Sequence, residues 1–131
     1  MERTIHNPWT WQDDLGFVQA VEITGPSKVL ECSGQVSFAA DGSTLHSGDM
    51  AGQISAALDN LESVLGTAEM TLANVAKVTT YVTDMAAYFE HRDLVTQRFE
   101  ETGGRHTHTL IGVSDLARPD ILVEIDAVAY S

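Results

Sequence analysis

Three groups of residues have types and spacings suited to chemistry: His106-Thr107-His108, the lone Glu124 within Ile-Leu-Val-Glu-Ile-Asp-Ala-Val-Ala (121–129), and Cys32-Ser33-Gly34-Gln35. Side chains alternate along a strand, so His106 and His108 would share one face. Two imidazoles can ligate Zn2+ or Cu2+, but a site needs a third ligand. The sequence designates none, and no metal is expected. Glu124 among apolar strand residues is a candidate general acid–base group, because burial raises a carboxyl pKa toward the working range. Asp126 fits plain outward alternation. Ser33 offers a hydroxyl, and Gly34 allows close approach of a ligand to the backbone. Cys32 follows Glu31 and has no cationic neighbour in sequence. A lowered thiol pKa is therefore not expected, nor is nucleophilic catalysis. There is no G-x-S-x-G, P-loop, Rossmann fingerprint or H-E-x-x-H, and no cofactor is expected.

These residues must be positioned by short strands and two helices. Residues 17–24 and 28–34 are β-rich runs separated by Gly25-Pro26-Ser27, which predicts a hairpin. Asp41-Gly42 signals a turn before a short third strand at 44–46. Over 50–65, Ile54, Ala57, Leu58, Leu61, Val64 and Leu65 form a stripe at helical spacing, with Gln53, Asp59, Asn60, Glu62 and Ser63 off it. Asp49 is the expected N-cap and Gly66 the stop. The β-branched run 75–83 predicts a strand with Val78, Thr80 and Val82 on one face. A second helix is expected over about 86–102, with Tyr88, Val95 and Phe99 inward and Gly103-Gly104 ending it. Strands at 106–113 and 121–129 close the chain. The order β-β-β-α-β-α-β-β predicts an α+β fold, a single mixed sheet with two helices on one face. The last strand is apolar on both sides, so the uncovered face calls for a partner subunit.

At 131 residues the chain is expected to form a single domain, 1–131, able to bury roughly two thirds of its unfolded surface. Lys and Arg number 7 against 19 Asp and Glu, a net charge of −12, and no Lys or Arg lies between Lys28 and Lys77. A phosphate-backbone binder needs a clustered basic face, so nucleic acid and anionic membrane surfaces are disfavoured as partners. Cys32 is the one cysteine, which excludes an internal disulfide and suits a reducing compartment. The polar N-terminus has no apolar core of a signal peptide, and no stretch approaches the roughly 20 apolar residues of a membrane span. A cytoplasmic location is expected.

Several blocks in order carry a resemblance: Gly16-Phe17-Val18-Gln19-Ala20-Val21, Ser33-Gly34-Gln35, Gly48-Asp49-Met50 with Gln53, ALDNLESVL (57–65), VAKVTTYVTDM (75–85) and LVEIDAVA (122–129). Together they resemble the Rid family of reactive-intermediate (enamine/imine) deaminases, also called the YjgF-type or L-PSP endoribonuclease family. The resemblance implies a chorismate-mutase-like fold and a homotrimer with small-molecule pockets between subunits. It implies hydrolysis of 2-aminoacrylate-type enamines and imines to keto acids and ammonia. The family Glu falls on Glu124, its Ser-Gly on Ser33 and Gly34, and its first-strand aromatic on Phe17, where many members have Tyr. The family arginine, which clamps a substrate carboxylate bidentately, falls on His108. The RHTHTLIGVSDLARP run instead resembles a divergent subgroup without that arginine. His108 would then be the contact for substrate, partly charged near its ordinary pKa of ~6.5. Thr109 and Leu110 beside it, and Arg92 on the second helix, are the remaining expected substrate-binding residues. Arg105 lies three residues from His108, an odd offset that turns it to the other face. The expected function is hydrolysis of an enamine, imine or similarly activated C–N bond. The alternative is a trimeric small-molecule-binding protein without turnover.

Overall fold

A computed structural model describes all 131 residues. Strands β1 (Glu2–His6) and β2 (Ala20–Thr24) pair antiparallel as a ribbon. Strands β3 (Val29–Gln35), β4 (Val75–Val82), β5 (Thr107–Gly112) and β6 (Val123–Tyr130) form a sheet in the order β3-β6-β4-β5. The β4–β5 pair is parallel and the others antiparallel, so the sheet is mixed. Helix α1 (Met50–Thr67) lies over one face, followed there by α2 (Met85–His91) and α3 (Asp93–Glu101). The α+β class and mixed sheet are those expected from the sequence.

Four details differ. The Gly25-Pro26-Ser27 turn does not close a hairpin. Strand β2 pairs with β1, whose alternation of polar residues gave no strand signal, and β3 pairs with β6. Ser27 and Lys28 donate their N–H groups to the Ser131 carbonyl, which steers the chain away from β2. The expected strand at 44–46 is reduced to one bridge, Phe38 with Thr44. The expected single sheet is four strands plus the separate ribbon. The expected second helix is divided at Arg92, where Asp93 begins α3. Its inward stripe is as expected, with Tyr88, Val95 and Phe99 buried and Phe89 53% exposed.

Helix α1 starts where Asp49 accepts the Gly52 N–H at 3.2 Å, as an N-cap does. It runs one residue past Gly66. Its stripe meets Val78, Val82, Val123, Ile125, Ala127 and Ala129 in one core. Gln53 does not face solvent, although its residue type set it apart from the stripe. It is fully buried, because its amide pins the segment that feeds β6. Its Nε2 donates to the carbonyls of His46 (3.1 Å) and Asp120 (2.7 Å), and its Oε1 accepts the Leu122 N–H at 2.8 Å. Gln53→Leu would strand these three backbone groups in the interior. We expect a loss of about 3 kcal/mol, from penalties of roughly 1–3 kcal/mol per buried unsatisfied group. Urea unfolding at fixed protein concentration reads it; a loss below about 1 kcal/mol would mean that water replaces the amide there.

Strand β6 alternates fully buried and half-buried residues throughout. Val123, Ile125, Ala127 and Ala129 face the helices, so Glu124, Asp126, Val128 and Tyr130 face away from them. No helix covers that second face.

Candidate active site

A cavity of about 190 Å3 opens on the helix side of β5. Its walls come from the segment before β2 (Leu15, Gly16, Phe17), from α2 and α3 with Arg92 between them, and from His106, His108 and Leu110. Phe17 is held over it from both sides. Thr96 of α3 donates its hydroxyl to the Leu15 carbonyl at 3.3 Å, and the Val18 N–H donates to the His106 carbonyl at 2.9 Å. Gly16 has φ +78, and a Cβ there would press on Thr96 Cγ2 at 2.6 Å. Glycine is thus required twice over at the bend that aims Phe17.

The two histidines do share a face, with ring centroids 5.8 Å apart. The His106 ring packs on Phe99 at 3.9 Å, is 1% exposed, and leaves Nδ1 with no hydrogen-bond partner. The Nε2 of His108 and the hydroxyl of buried Thr80 are 2.8 Å apart, which fixes that ring. Burial, and then the proximity of His108 and Arg3, lowers the His106 pKa to about 3. Burial lowers that of His108 to about 4. Both rings are therefore neutral at pH 7. The expected partly charged His108 is corrected on this point: it offers a hydrogen bond but no cation. No group of three His, Cys, Asp or Glu side chains is placed to hold a metal.

Arg92 is the cation in the cavity wall, its guanidinium carbon 5.9 Å from the centroid of the exposed Phe89 ring. Neither hydrogen bonds nor ion pairs engage it, whereas Arg98 bonds Asp59 (2.8 Å) and Glu62 (2.7 Å). Arg105, exposed ahead of β5, lies outside this cavity. Burial pushes the Tyr88 phenol pKa up, opposed by Thr80 and by the Arg92 charge.

Glu124 stands elsewhere. Register pairs it with Tyr81, whereas His108 pairs with Val78. Val78 lies in the core under the helices and Tyr81 three residues on faces the opposite way, so Glu124 and His108 open on opposite faces of one sheet. Thr109 follows the Glu124 side, exposed and paired with Thr79, while Leu110 stays in the cavity. The register between β3 and β6 shifts between Cys32 and Gln35, placing a β-bulge beside Glu124. The Glu124 carboxylate lies against Gly34 so closely that a Cβ there would overlap it. Ser33 is exposed next to it. Tyr81 donates its hydroxyl to Asp126 Oδ2 at 3.2 Å on this face, and that carboxylate pushes the phenol pKa up. Cys32 points to the core side, and burial followed by Asp126 raises its thiol pKa, as a non-nucleophilic cysteine requires.

The expected site residues thus divide into two sets. Phe17, Arg92, His108 and Leu110 line the cavity; Glu124, Gly34, Ser33 and Thr109 lie on the uncovered sheet face. Sequence reasoning did not single out His106, Tyr88 and Thr96 as cavity residues; the 3.6-residue spacing of Tyr88, Arg92, Val95 and Thr96 along the two helices was the available signal.

A small mixed sheet with helices on one face, a cavity beside its edge strand and a carboxylate on the bare face define a compact α+β fold. The sequence profile described as endoribonuclease L-PSP matches residues 13–131, and the chain belongs to this Rid/YjgF family. A RutC family protein of Pyrococcus horikoshii is 30% identical over 77% of this chain and 78% of its own. Among solved structures, a Rid-family protein of unknown function from Yersinia pestis superposes with a TM-score of 0.88 at 32% identity, covering all of both chains. A Mycobacterium tuberculosis member of the YjgF/YER057c/UK114 family is 30% identical, with a TM-score of 0.66 over 99% of this chain and 100% of its own. The β1 strand precedes the profile match, yet lies within the span shared with the Yersinia protein. No helix is long and apolar enough to cross a membrane.

Proposed function

We propose that the protein is a homotrimeric hydrolase of imines, enamines or similarly activated C–N bonds. Its pockets form where the cavity of one subunit meets the bare sheet face of the next. The observation that carries this reading is the separation of the two sets of residues. Glu124 and the Arg92–His108 cavity cannot meet within one chain, but two copies of the sheet packed about a symmetry axis bring them together. A cyclic assembly does so for each copy, and three is the family expectation.

In such a pocket the Glu124 carboxylate takes a proton from water, and the resulting hydroxyl adds to the iminium carbon. The carboxylic acid so formed returns the proton to nitrogen, the carboxylate then takes the hydroxyl proton as the C–N bond breaks, and ammonia leaves with a carbonyl product. An enamine is first protonated on carbon to the iminium by Glu124 in its acid form, which uptake of the hydroxyl proton at the end of each turnover restores. Gly34 and the bulge leave the carboxylate room to reach the substrate. His108 hydrogen-bonds as a neutral ring, so 2-aminoacrylate, small and anionic, lacks the bidentate clamp on the strand and should be a poor substrate.

The test is ammonia and carbonyl-product release from freshly generated imines of several 2-keto acids, measured above the uncatalysed rate. Catalysed release is expected with at least one of them. One observation favours a second reading, a trimeric binder without turnover: the strand position of the family arginine holds an uncharged histidine. That reading wins if ligands bind and no imine is hydrolysed.

A further inference from the structure

The cavity has one end suited to a carboxylate and a body suited to something larger than the smallest keto acids. From this geometry we infer that it takes monocarboxylates bearing an aromatic or bulky aliphatic group, with the carboxylate on Arg92 and the apolar body reaching inward over Phe17 to the His106–His108 wall. This rests on the cavity being the substrate half of the proposed pocket. It concerns which molecules enter, whereas the hydrolysis itself rests on Glu124.

Four observations converge. First, Arg92 has its donors free and sits at the junction of α2 and α3, 5.9 Å from the Phe89 ring. Phe89 is exposed, so this guanidinium marks the cavity's outer edge. A planar fork with unused donors matches a carboxylate in geometry. Second, no cation lines the inner end: Arg3, near His106, donates to the carbonyls of Ala73 and Asn74 and is not part of the cavity wall. The His106 ring is buried there on Phe99 and His108 is tied to Thr80, and both are neutral at pH 7. A carboxylate placed that deep would lose its hydration with no opposite charge to meet. Third, Phe17 and Leu110 line the same cavity with carbon. Fourth, the volume of about 190 Å3 exceeds the roughly 150 Å3 of an apolar cavity that admits benzene. The cation at the helix junction and the neutral histidine wall thus share one cavity with room for a ring.

The experiment measures binding of three probes to the full-length protein by calorimetry: 3-phenylpropanoate, its uncharged amide 3-phenylpropanamide, and propanoate. Wild type should bind 3-phenylpropanoate at least about tenfold more tightly than either of the others, the range of a charge-assisted hydrogen bond and of burying a ring-sized apolar group. Arg92→Gln should bind the acid and the amide equally, and Arg92→Lys should keep part of the preference because a point charge replaces the fork. The Arg92 side chain makes no hydrogen bond within the fold, so both variants should keep the wild-type circular dichroism spectrum. The inference is overturned if propanoate or the amide matches the acid on wild type, if Arg92→Gln retains the preference, or if 3-phenylpropanoate does not bind at millimolar concentration. Those results leave the hydrolase reading standing. Absent ammonia release with normal probe binding removes that reading and leaves this one.

Discussion

Glu124→Gln should lower turnover of an activated C–N substrate by roughly 10²–10⁴ while leaving assembly and ligand binding intact. Glu124 lies half-buried on the uncovered sheet face, against Gly34 and beside the β3 bulge. Glutamine has nearly the same shape and still hydrogen-bonds, so the sheet face should pack as before. It cannot accept a proton from water or return one to nitrogen. Loss of rate with unchanged affinity for 3-phenylpropanoate therefore marks Glu124 as the proton carrier. An unchanged rate would remove it from the mechanism. Asp126 serves as the internal comparison. It occupies the same face two residues on, but it accepts a hydrogen bond from Tyr81, and Asp126→Asn should not reproduce the loss.

The second large effect is on stability in acid. The folded pKa values of His106 and His108, about 3 and about 4, lie below the unfolded value of 6.5. Between pH 6.5 and pH 4 the unfolded chain therefore binds more protons than the folded one, and stability falls as pH falls through that window. Above 6.5 neither state is charged and the effect vanishes. Each ring contributes a loss of roughly 3 kcal/mol by pH 4, at about 1.36 kcal/mol per pKa unit. Together these are a large share of the 5–15 kcal/mol typical of a folded domain. The physical cause is explicit for His106: its neighbours are Phe99, the second histidine and Arg3, and its Nδ1 has no acceptor to receive an added proton. Urea unfolding of wild type and His106→Leu at pH 7 and pH 4.5, at fixed protein concentration, should show the pH difference shrinking by about half in the variant. Equal differences in the two proteins would show that neither the burial nor the isolation of this ring matters.

The parts of the fold legible in the sequence are those where residue type and burial agree. The α1 stripe, its Asp49 cap, the inward set of β4 and the shared face of His106 and His108 follow from periodicity alone. The misread parts are those where backbone partners at long range decide. Nothing near Gly25-Pro26-Ser27 reveals that the Ser131 carbonyl takes the Ser27 and Lys28 N–H groups, so a local turn looked like a hairpin. Gln53 was set off the apolar stripe by its residue type, and two of its partners, the backbone of Asp120 and Leu122, are far along the chain. The same holds for the site. Glu124, His108, Phe17 and Arg92 were all recognisable as candidates. That Glu124 and His108 face opposite ways depends on the registers of β5 and β6 against β4. That His108 is neutral depends on burial supplied by neighbouring elements. Neither is written in the local sequence.

Sedimentation equilibrium of the purified chain at micromolar concentration reads whether the two halves of the site have the neighbouring subunits they need to meet. A species of about three times 14.2 kDa is expected, with C–N hydrolysis confined to it. A stable 14.2 kDa monomer that hydrolyses an imine would rule out an intersubunit site, because in one chain Glu124 and the Arg92–His108 cavity lie on opposite sides of the sheet.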